Sequence, residues 1–99
     1  MWVISRKKLR LFWERPDCRD AEAQLRAWFT EAERANWRSP ADIKERYRNA
    51  SILKRGRVCF NICGNKYRLV ALVIYPKQRL YIRFIGTHEE YDKIDANTV

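Results

Sequence analysis

The chain has 99 residues, 46% of them hydrophobic, which suffices for one folded domain over residues 1–99 and excludes a disordered basic tail. Its formal net charge of +9 attracts polyanions, so nucleic acid is the first partner to expect. A solvated basic face, or a docking face for an acidic protein, is the alternative interpretation. No apolar run is long enough for a membrane span or a signal peptide, so the sequence predicts a cytoplasmic protein with no membrane contact.

The three cysteines, Cys18, Cys59 and Cys63, do not indicate a disulfide or a metal site. An odd count without a secretion signal favours reduced thiols. On one strand, Cys59 and Cys63 would lie about 13 Å apart, too far for a disulfide. A zinc site would need two further soft ligands, and the chain has a single histidine. We therefore expect neither a bound metal nor another cofactor.

The chain begins with a predicted strand and helix. Residues 2–5 (WVIS) suit a short strand, and Ser5 is a candidate N-cap for a helix over residues 6–15. Pro16 ends that helix. Its apolar stripe comprises Leu9, Phe12 and Trp13.

Two further helices are predicted in the first half of the chain. Residues 20–37 place apolar side chains at helical spacing, with mixed charges on the opposite face. Residues 39–42 (SPAD) begin a third, shorter helix, in which Ser39 is the N-cap and Pro40 the first helical residue. The stripe of the second helix comprises Leu25, Trp28, Phe29 and Ala32.

The second half predicts a meander of strands. Residues 57–62 alternate, residues 64–65 (GN) suit a hairpin turn, and residues 67–75 are apolar on both faces, as in a central strand. After a turn over residues 76–79, residues 80–85 alternate again. The inward side chains are expected to be Val58, Phe60, Ile62, Leu80, Ile82 and Phe84, and the outward ones Arg57, Cys59, Asn61, Tyr81, Arg83 and Ile85. Helices followed by a meander predict an α+β domain, with an N-terminal strand and helices packed on an antiparallel sheet and a short C-terminal helix.

The short C-terminal helix carries the one histidine of the chain. Residues 87–90 (THEE) form a capping box, in which Thr87 caps the amide of Glu90 and Glu90 reaches back to the amide of Thr87. His88 is then the first helical residue, where the helix terminus favours a phosphate and a neutral imidazole. Tyr91 follows within the first turn. An exposed His88 with a Tyr91 that only packs on the sheet is the simpler interpretation.

Cationic and polar side chains favour the catalytic interpretation. Arg57, Asn61 and Arg83 are expected on the outward face of the sheet, and Arg68 could join them if the strand register allows. RNA cleavage needs a base for the 2′-hydroxyl proton, cations for the phosphorane charge and an acid for the 5′ oxygen, with no obligatory metal.

The C-terminal half resembles the HigB branch of the RelE-like toxins, which are mRNA interferases of bacterial toxin–antitoxin pairs. The resemblance lies in FNICGNKYRLVALVIYP and LYIRFIGTHEEYDKI, and the SPADIK segment agrees with it. It implies a compact fold of helices on a sheet, cleavage of mRNA in the ribosomal A site, and inhibition by an antitoxin that often carries a helix-turn-helix. Matched by position, Arg68, His88 and Tyr91 are the expected catalytic residues. The expected substrate-binding residues are Lys54, Arg55, Arg57, Asn61, Lys66 and Arg83.

Several questions stay open from the sequence. The strand region before Tyr67 offers no obvious glutamate, so the group that removes the 2′ proton is not assigned. A ParE-like member of the same fold superfamily would poison a protein target instead, and a non-catalytic RNA-binding module would not need His88. The tryptophans could stack on bases. Trp2, Trp28 and Trp37 are better placed for the core, whereas Trp13 suits either role.

Overall fold

The computed structural model describes residues 1–99 as one α+β domain. The chain forms four α-helices and five strands, together with two short 3-10 turns at Arg19–Ala21 and Tyr75–Lys77. No helix of the chain is both long enough and apolar enough to cross a bilayer. In chain order the elements are β1 (Trp2–Ile4), α1 (Arg6–Trp13), α2 (Glu22–Arg34), α3 (Pro40–Arg46), β2 (Ser51–Ile52), β3 (Arg57–Ile62), β4 (Tyr67–Ile74), β5 (Arg79–Thr87) and α4 (His88–Tyr91).

The five strands form one sheet in the order β1-β5-β4-β3-β2. The predicted meander is confirmed for β3, β4 and β5, which pair antiparallel, and β4 is central as expected. The short β1 pairs parallel to β5, with Trp2 beside Arg79, so the sheet as a whole is mixed. β1 can pair parallel to β5 because a long stretch of chain, including α1 to α3, connects the two strands. No tight turn between them forces an antiparallel arrangement.

One face of the sheet, the inner face, packs against α1, α2 and α3 around the main hydrophobic core. Aromatic rings meet edge to face there: Trp28 lies 5.3 Å from Phe60 and Phe12 lies 5.2 Å from Tyr67, measured between ring centroids. Such pairs add about 0.5–1.5 kcal/mol each beyond their buried area. The predicted stripes are confirmed, with Phe29 only partly buried; the fully buried members are Leu9, Phe12, Trp13, Leu25, Trp28 and Ala32.

The helix boundaries differ from the prediction near the caps. Ser5 precedes α1 but makes no side-chain hydrogen bond to it, because its backbone is left-handed, with φ of 80°. This left-handed residue makes the chain change direction sharply between β1 and α1. Ser39 also makes no capping bond; instead the carboxylate of Asp42 accepts from the amide of Arg38 at 2.8 Å.

A β-bulge overturns the predicted alternation at the end of β5. The pairing of β4 with β5 shifts at this point: Val70 pairs with Phe84, the next residue Ala71 pairs with Ile82, and Arg83 is the extra residue between them. Beyond the bulge the two faces exchange. Phe84, predicted inward, lies on the outer face, and Ile85, predicted outward, packs against the main core.

The outer face of the sheet has a small core of its own. Residues 92–99 fold back over β3 and β4 and bury Cys59, which is 2% exposed, together with Val70 and Ala96. The amide of Lys54 donates to the side-chain oxygen of Asn97 at 2.8 Å and fastens this segment to the sheet. Cys59 therefore lies in a closed apolar site rather than on an open strand face.

Trp2 is not a core residue, contrary to the prediction. Its side chain is 65% exposed, because Val3 takes the inner position on β1 and Trp2 points to the outer face. The guanidinium of Arg79 lies 5.5 Å from its ring centroid. Trp28 and Trp37 are buried as predicted, and Trp13 is buried too, which leaves Trp2 the only exposed tryptophan.

Candidate active site

The start of α4 is fixed by the predicted capping box. Oγ1 of Thr87 accepts from the amide of Glu90 at 3.2 Å, and Oε1 of Glu90 accepts from the amide of Thr87 at 2.9 Å. Nη1 of Arg15, which follows α1, donates to both oxygens of Glu90 at 3.2 and 3.3 Å. The Thr87 amide, with help from Arg15, lowers the pKa of Glu90 below its usual range. These contacts fix the position of the first helical residue, His88, relative to the sheet.

His88 is held at its backbone and has a partly exposed side chain. Its amide donates to the main-chain oxygen of Lys66 at 3.2 Å, across to the β3–β4 hairpin. Nδ1 lies 3.2 Å from Oδ2 of Asp92, one helical turn further on, and the side chain is 48% exposed. A hydrogen on Nδ1 directed at this carboxylate leaves Nε2 free to face a substrate. Nothing in the sequence pattern singles out Asp92 for this role.

Arg68 stands beside α4 on the outer face. Its guanidinium lies 5.7 Å from the ring centroid of Tyr91, a cation–π distance. Nη1 donates to the main-chain oxygen of Asn65 at 2.9 Å, and Nη2 donates to the side-chain oxygen of the same residue. Asn65 thus orients one side of the guanidinium, and the three predicted catalytic residues lie at one end of the sheet.

Tyr91 contributes its ring rather than an exposed hydroxyl. The ring packs on Phe84 at 6.3 Å between centroids, and the hydroxyl lies beside the thiol of Cys59. Burial, reinforced by that thiol, raises the pKa of Tyr91, and burial likewise raises the pKa of Cys59. A tyrosine turned inward in this way is suited to holding Arg68 and stacking, and less suited to donating a proton.

Gly86 lies directly opposite Arg68 in the strand register. A Cβ atom at this position would stand 2.5 Å from the Phe84 ring and 3.2 Å from Cβ of Glu90. The absence of a side chain at Gly86 therefore leaves room for the Phe84 ring, which supports Tyr91, and allows α4 to approach the sheet closely.

The predicted substrate-binding residues do not form one cluster. Asn61 is the register partner of Arg68. Arg57 lies four residues away along the same strand, about 13 Å, and donates to the main-chain oxygen of Val99 at 2.7 and 3.0 Å. Lys54 and Arg55 are exposed in the turn before β3.

Two of the predicted cations point away from the outer face. Arg83 is exposed at the bulge and lines a groove beside α1 with Lys8 and Arg15, so the expected shared face with Arg57 is wrong. Lys66 is already paired, with Nζ 2.6 Å from the carboxylate of Asp20. No cluster of three or more His, Cys, Asp or Glu side chains in the chain is placed to hold a metal ion.

Residues 21–94 match a family model described as HigB toxin, the RelE-like toxic component of a toxin–antitoxin system. The chain belongs to the HigB toxin family. The matched span runs from the last residue of the first 3-10 turn to just beyond α4, and so it contains Arg68, His88 and Tyr91.

Curated relatives agree over a shorter stretch. The mRNA interferase toxin HigB of Escherichia coli K12 is 52% identical over 37 residues, which is 37% of this chain and 36% of the relative. The mRNA interferase HigB proteins of Escherichia coli O157:H7 and Shigella flexneri match with the same identity and length. The aligned segment thus spans about a third of these relatives.

Proposed function

We propose that this chain is a metal-independent endoribonuclease that cleaves mRNA on the translating ribosome, in the cytoplasm. The observation that carries the proposal is the placement of the His88–Asp92 pair beside Arg68 on one end of the sheet. A proton donor and a fixed cation are two of the three groups that cleavage next to a 2′-hydroxyl requires. The similarity to mRNA interferases of Escherichia coli supports the same activity.

In the proposed reaction the 2′ oxygen attacks the adjacent phosphorus, and the bond from phosphorus to the 5′ oxygen breaks. The products are a 2′,3′-cyclic phosphate and a free 5′-hydroxyl. Nε2 of protonated His88 delivers a proton to the departing 5′ oxygen, while Nδ1–H stays directed at Asp92. Arg68 neutralises the charge of the phosphorane. The 2′ proton passes to water, since none of the five strands carries an Asp or Glu that could accept it.

The remaining cations are proposed to hold RNA or the ribosome rather than the scissile phosphate. Lys54 and Arg55 are exposed beside the outer face, and Arg83 adds charge along the α1 groove. Arg57 could join them only by exchanging its bond to Val99 for a phosphate. Phosphate contacts of this kind supply affinity that falls with salt.

Membership of a toxin family implies a cognate antitoxin. We propose that this partner carries a helix-turn-helix and masks the chain by direct binding. Co-expression of the protein encoded next to this chain should relieve growth arrest and yield a soluble complex. A folded chain that never slows growth in its own or a related host would contradict the toxin role.

The decisive experiment presents a defined mRNA to the purified chain, with and without translating ribosomes, and maps the cuts by primer extension. Cuts that follow the reading frame and require ribosomes support the proposal. Cleavage that EDTA abolishes would overturn its metal-independent part. Growth arrest with intact mRNA would assign the chain instead to a toxin that poisons a protein target.

A further inference from the structure

A groove with a mixed polar and apolar lining lies at the β3 edge of the sheet, one strand away from β4, which carries Arg68. It encloses about 460 Å³ between α2, α3 and β3. The groove exists because β2 is only two residues long and pairs with Val58 and Cys59, which leaves the edge of β3 from Phe60 to Ile62 without a partner strand. The connection from α3 to β2, residues 47–50, runs alongside and forms the opposite wall.

The groove is lined by hydrogen-bonding groups that the chain itself does not use. The side chains of Arg48 and Asn49 make no hydrogen bond or ion pair within the protein, and both are exposed. Gln24 accepts through Oε1 from the amide of Cys63 and keeps its amino group free. Trp28 is a further lining residue, and it is almost completely buried.

The single carboxylate of the groove is neutralised in place. Glu31 receives hydrogen bonds from the guanidinium of Arg46 and from the hydroxyl of Tyr47, the latter at 2.8 Å. Because Arg46 compensates the charge of Glu31, Arg48 is the lining residue whose positive charge has no partner. The groove can therefore accept an anion without repulsion from Glu31.

Asn61 connects the groove to the candidate active site. It lies in the groove wall, where its Nδ2 donates to the main-chain oxygen of Asn49 at 3.2 Å and leaves Oδ1 free. It is also the direct register partner of Arg68. Opposed residues of an antiparallel pair have Cα atoms about 4.5–5.5 Å apart, so one extended polymer can contact both.

We infer that this groove is a base-reading subsite, which binds a nucleotide of single-stranded RNA next to the scissile phosphate. The inference rests on the proposed ribonuclease function. Asn49, Asn61 and the amino group of Gln24 present donors and acceptors for the edge of an unstacked base. Arg48 supplies a bidentate contact for the neighbouring phosphate. The lining mixes apolar side chains with unpaired polar ones, and a protein segment anchored there by an apolar side chain would leave those polar groups without partners.

The test compares the cut sites of purified variants on a pool of translated mRNAs by sequencing the new 5′ ends. The variants are Asn49→Ala and Arg48→Ala, which change exposed side chains and leave Arg68, His88 and Tyr91 untouched. Arg34→Ala, an exposed residue at the end of α2, is the control for loss of one positive charge. Asn49→Ala is expected to flatten the base preference at one position beside the cut. Arg48→Ala should lower cleavage of preferred sites by roughly 10-fold, and Arg34→Ala should change neither.

A binding measurement separates this inference from the proposed function. A single-stranded RNA with 2′-deoxy nucleotides cannot be cut by the proposed reaction, so amide NMR shifts can be followed as it binds to wild-type protein. Shifts at residues 48, 49 and 61 support the subsite even if no cleavage is found. Wild-type base preference in both groove variants, with no groove shifts, would overturn it. Protection of the groove by the co-purified antitoxin, without any response to RNA, would also overturn it and assign the groove to that protein.

Discussion

Nδ1 of His88 lies 3.2 Å from Oδ2 of Asp92, one turn further along α4. The pair is made by two exposed side chains, those of the first residue of α4 and of the residue that directly follows the helix, so neither contributes to the core. We expect this pair to keep the imidazole hydrogen on Nδ1 and to leave Nε2 facing outward. The capping box at Thr87 and Glu90 places both side chains by fixing where α4 begins.

The first prediction concerns this pair. His88→Ala should reduce cleavage of translated mRNA by about 100-fold or more, because the leaving oxygen loses its proton donor. Asp92→Asn should reduce kcat by roughly 10- to 100-fold with little change in KM, because the imidazole loses its orientation. Thermal melts should show both variants folded, and Glu89→Gln, an exposed change on the same helix, is the control.

The tautomer of His88 can be observed directly, because the chain has a single histidine. Nitrogen-15 NMR of the neutral imidazole should report hydrogen on Nδ1 in the wild type and a shift toward Nε2 in Asp92→Asn. A well-folded His88→Ala protein that cuts at the wild-type rate would return His88 to the role of an ordinary surface residue.

The second prediction concerns Arg68 and the residues that hold it. Arg68→Ala should abolish toxicity, with at least about a 100-fold loss of cleavage, because the phosphorane charge goes unpaired. Asn65→Ala should cause a smaller loss, since the guanidinium loses its hydrogen bond to the Asn65 side chain but keeps the bond to the main-chain oxygen and the contact with the Tyr91 ring. Tyr91→Phe should retain most activity and Tyr91→Ala should not, because the ring rather than the hydroxyl supports Arg68. Equal losses in the two Tyr91 variants would show that the hydroxyl is the important group.

The third prediction concerns the pH dependence of stability. The pKa of Glu90 is lowered in the folded state, so its stabilising effect is present above the unfolded value, about 4.3, and is lost as pH falls through the folded pKa. Glu90→Gln should therefore melt below wild type at neutral pH, and the gap should close in acid. Glu89→Gln, the neighbouring exposed carboxylate, should melt like wild type throughout. A gap for Glu90→Gln that is constant with pH would contradict this assignment.

The fourth prediction concerns the thiols. Cys63→Ser should leave both stability and activity near wild type, because Cys63 lies at the edge of a turn. Cys59→Ser should destabilise the fold by about 1–2 kcal/mol, because a hydroxyl replaces a buried thiol, yet growth inhibition should persist. Chelators should leave cleavage unchanged in each case. Loss of cleavage in a folded Cys63→Ser protein would indicate a catalytic thiol.

Features set by nearby residues were predictable from the sequence. The capping box at Thr87 involves residues three apart, so its pattern is visible in four letters, and its bonds are present. The alternation of β3 and the apolar run of β4 likewise identify the inner face and the central strand. These signals placed His88 and Tyr91 at a helix start beside the sheet.

Features set by tertiary contacts were not predictable from the sequence. The bulge at Arg83 depends on how β5 pairs with β4, and nothing in residues 80–85 interrupts their alternation. Burial of Cys59 depends on a C-terminal segment that returns to the sheet from more than thirty residues away. Trp2 carries a core-type side chain, but its exposure follows from which face of β1 meets the helices. The bond of Asn65 to Arg68 depends on the shape of a hairpin turn.

Gly86 has a consequence for genetics. When a toxin gene is expressed without its antitoxin, the cells that survive carry mutations that abolish toxicity. Catalytic side chains are the obvious positions for such mutations. Here any replacement at Gly86 would push the Phe84 ring aside and with it the support of Tyr91, while Arg68, His88 and Asp92 all remain in the chain. Mutations that abolish toxicity are therefore also expected at Gly86, which takes no part in the chemistry itself. The proteins with these substitutions should still bind the antitoxin.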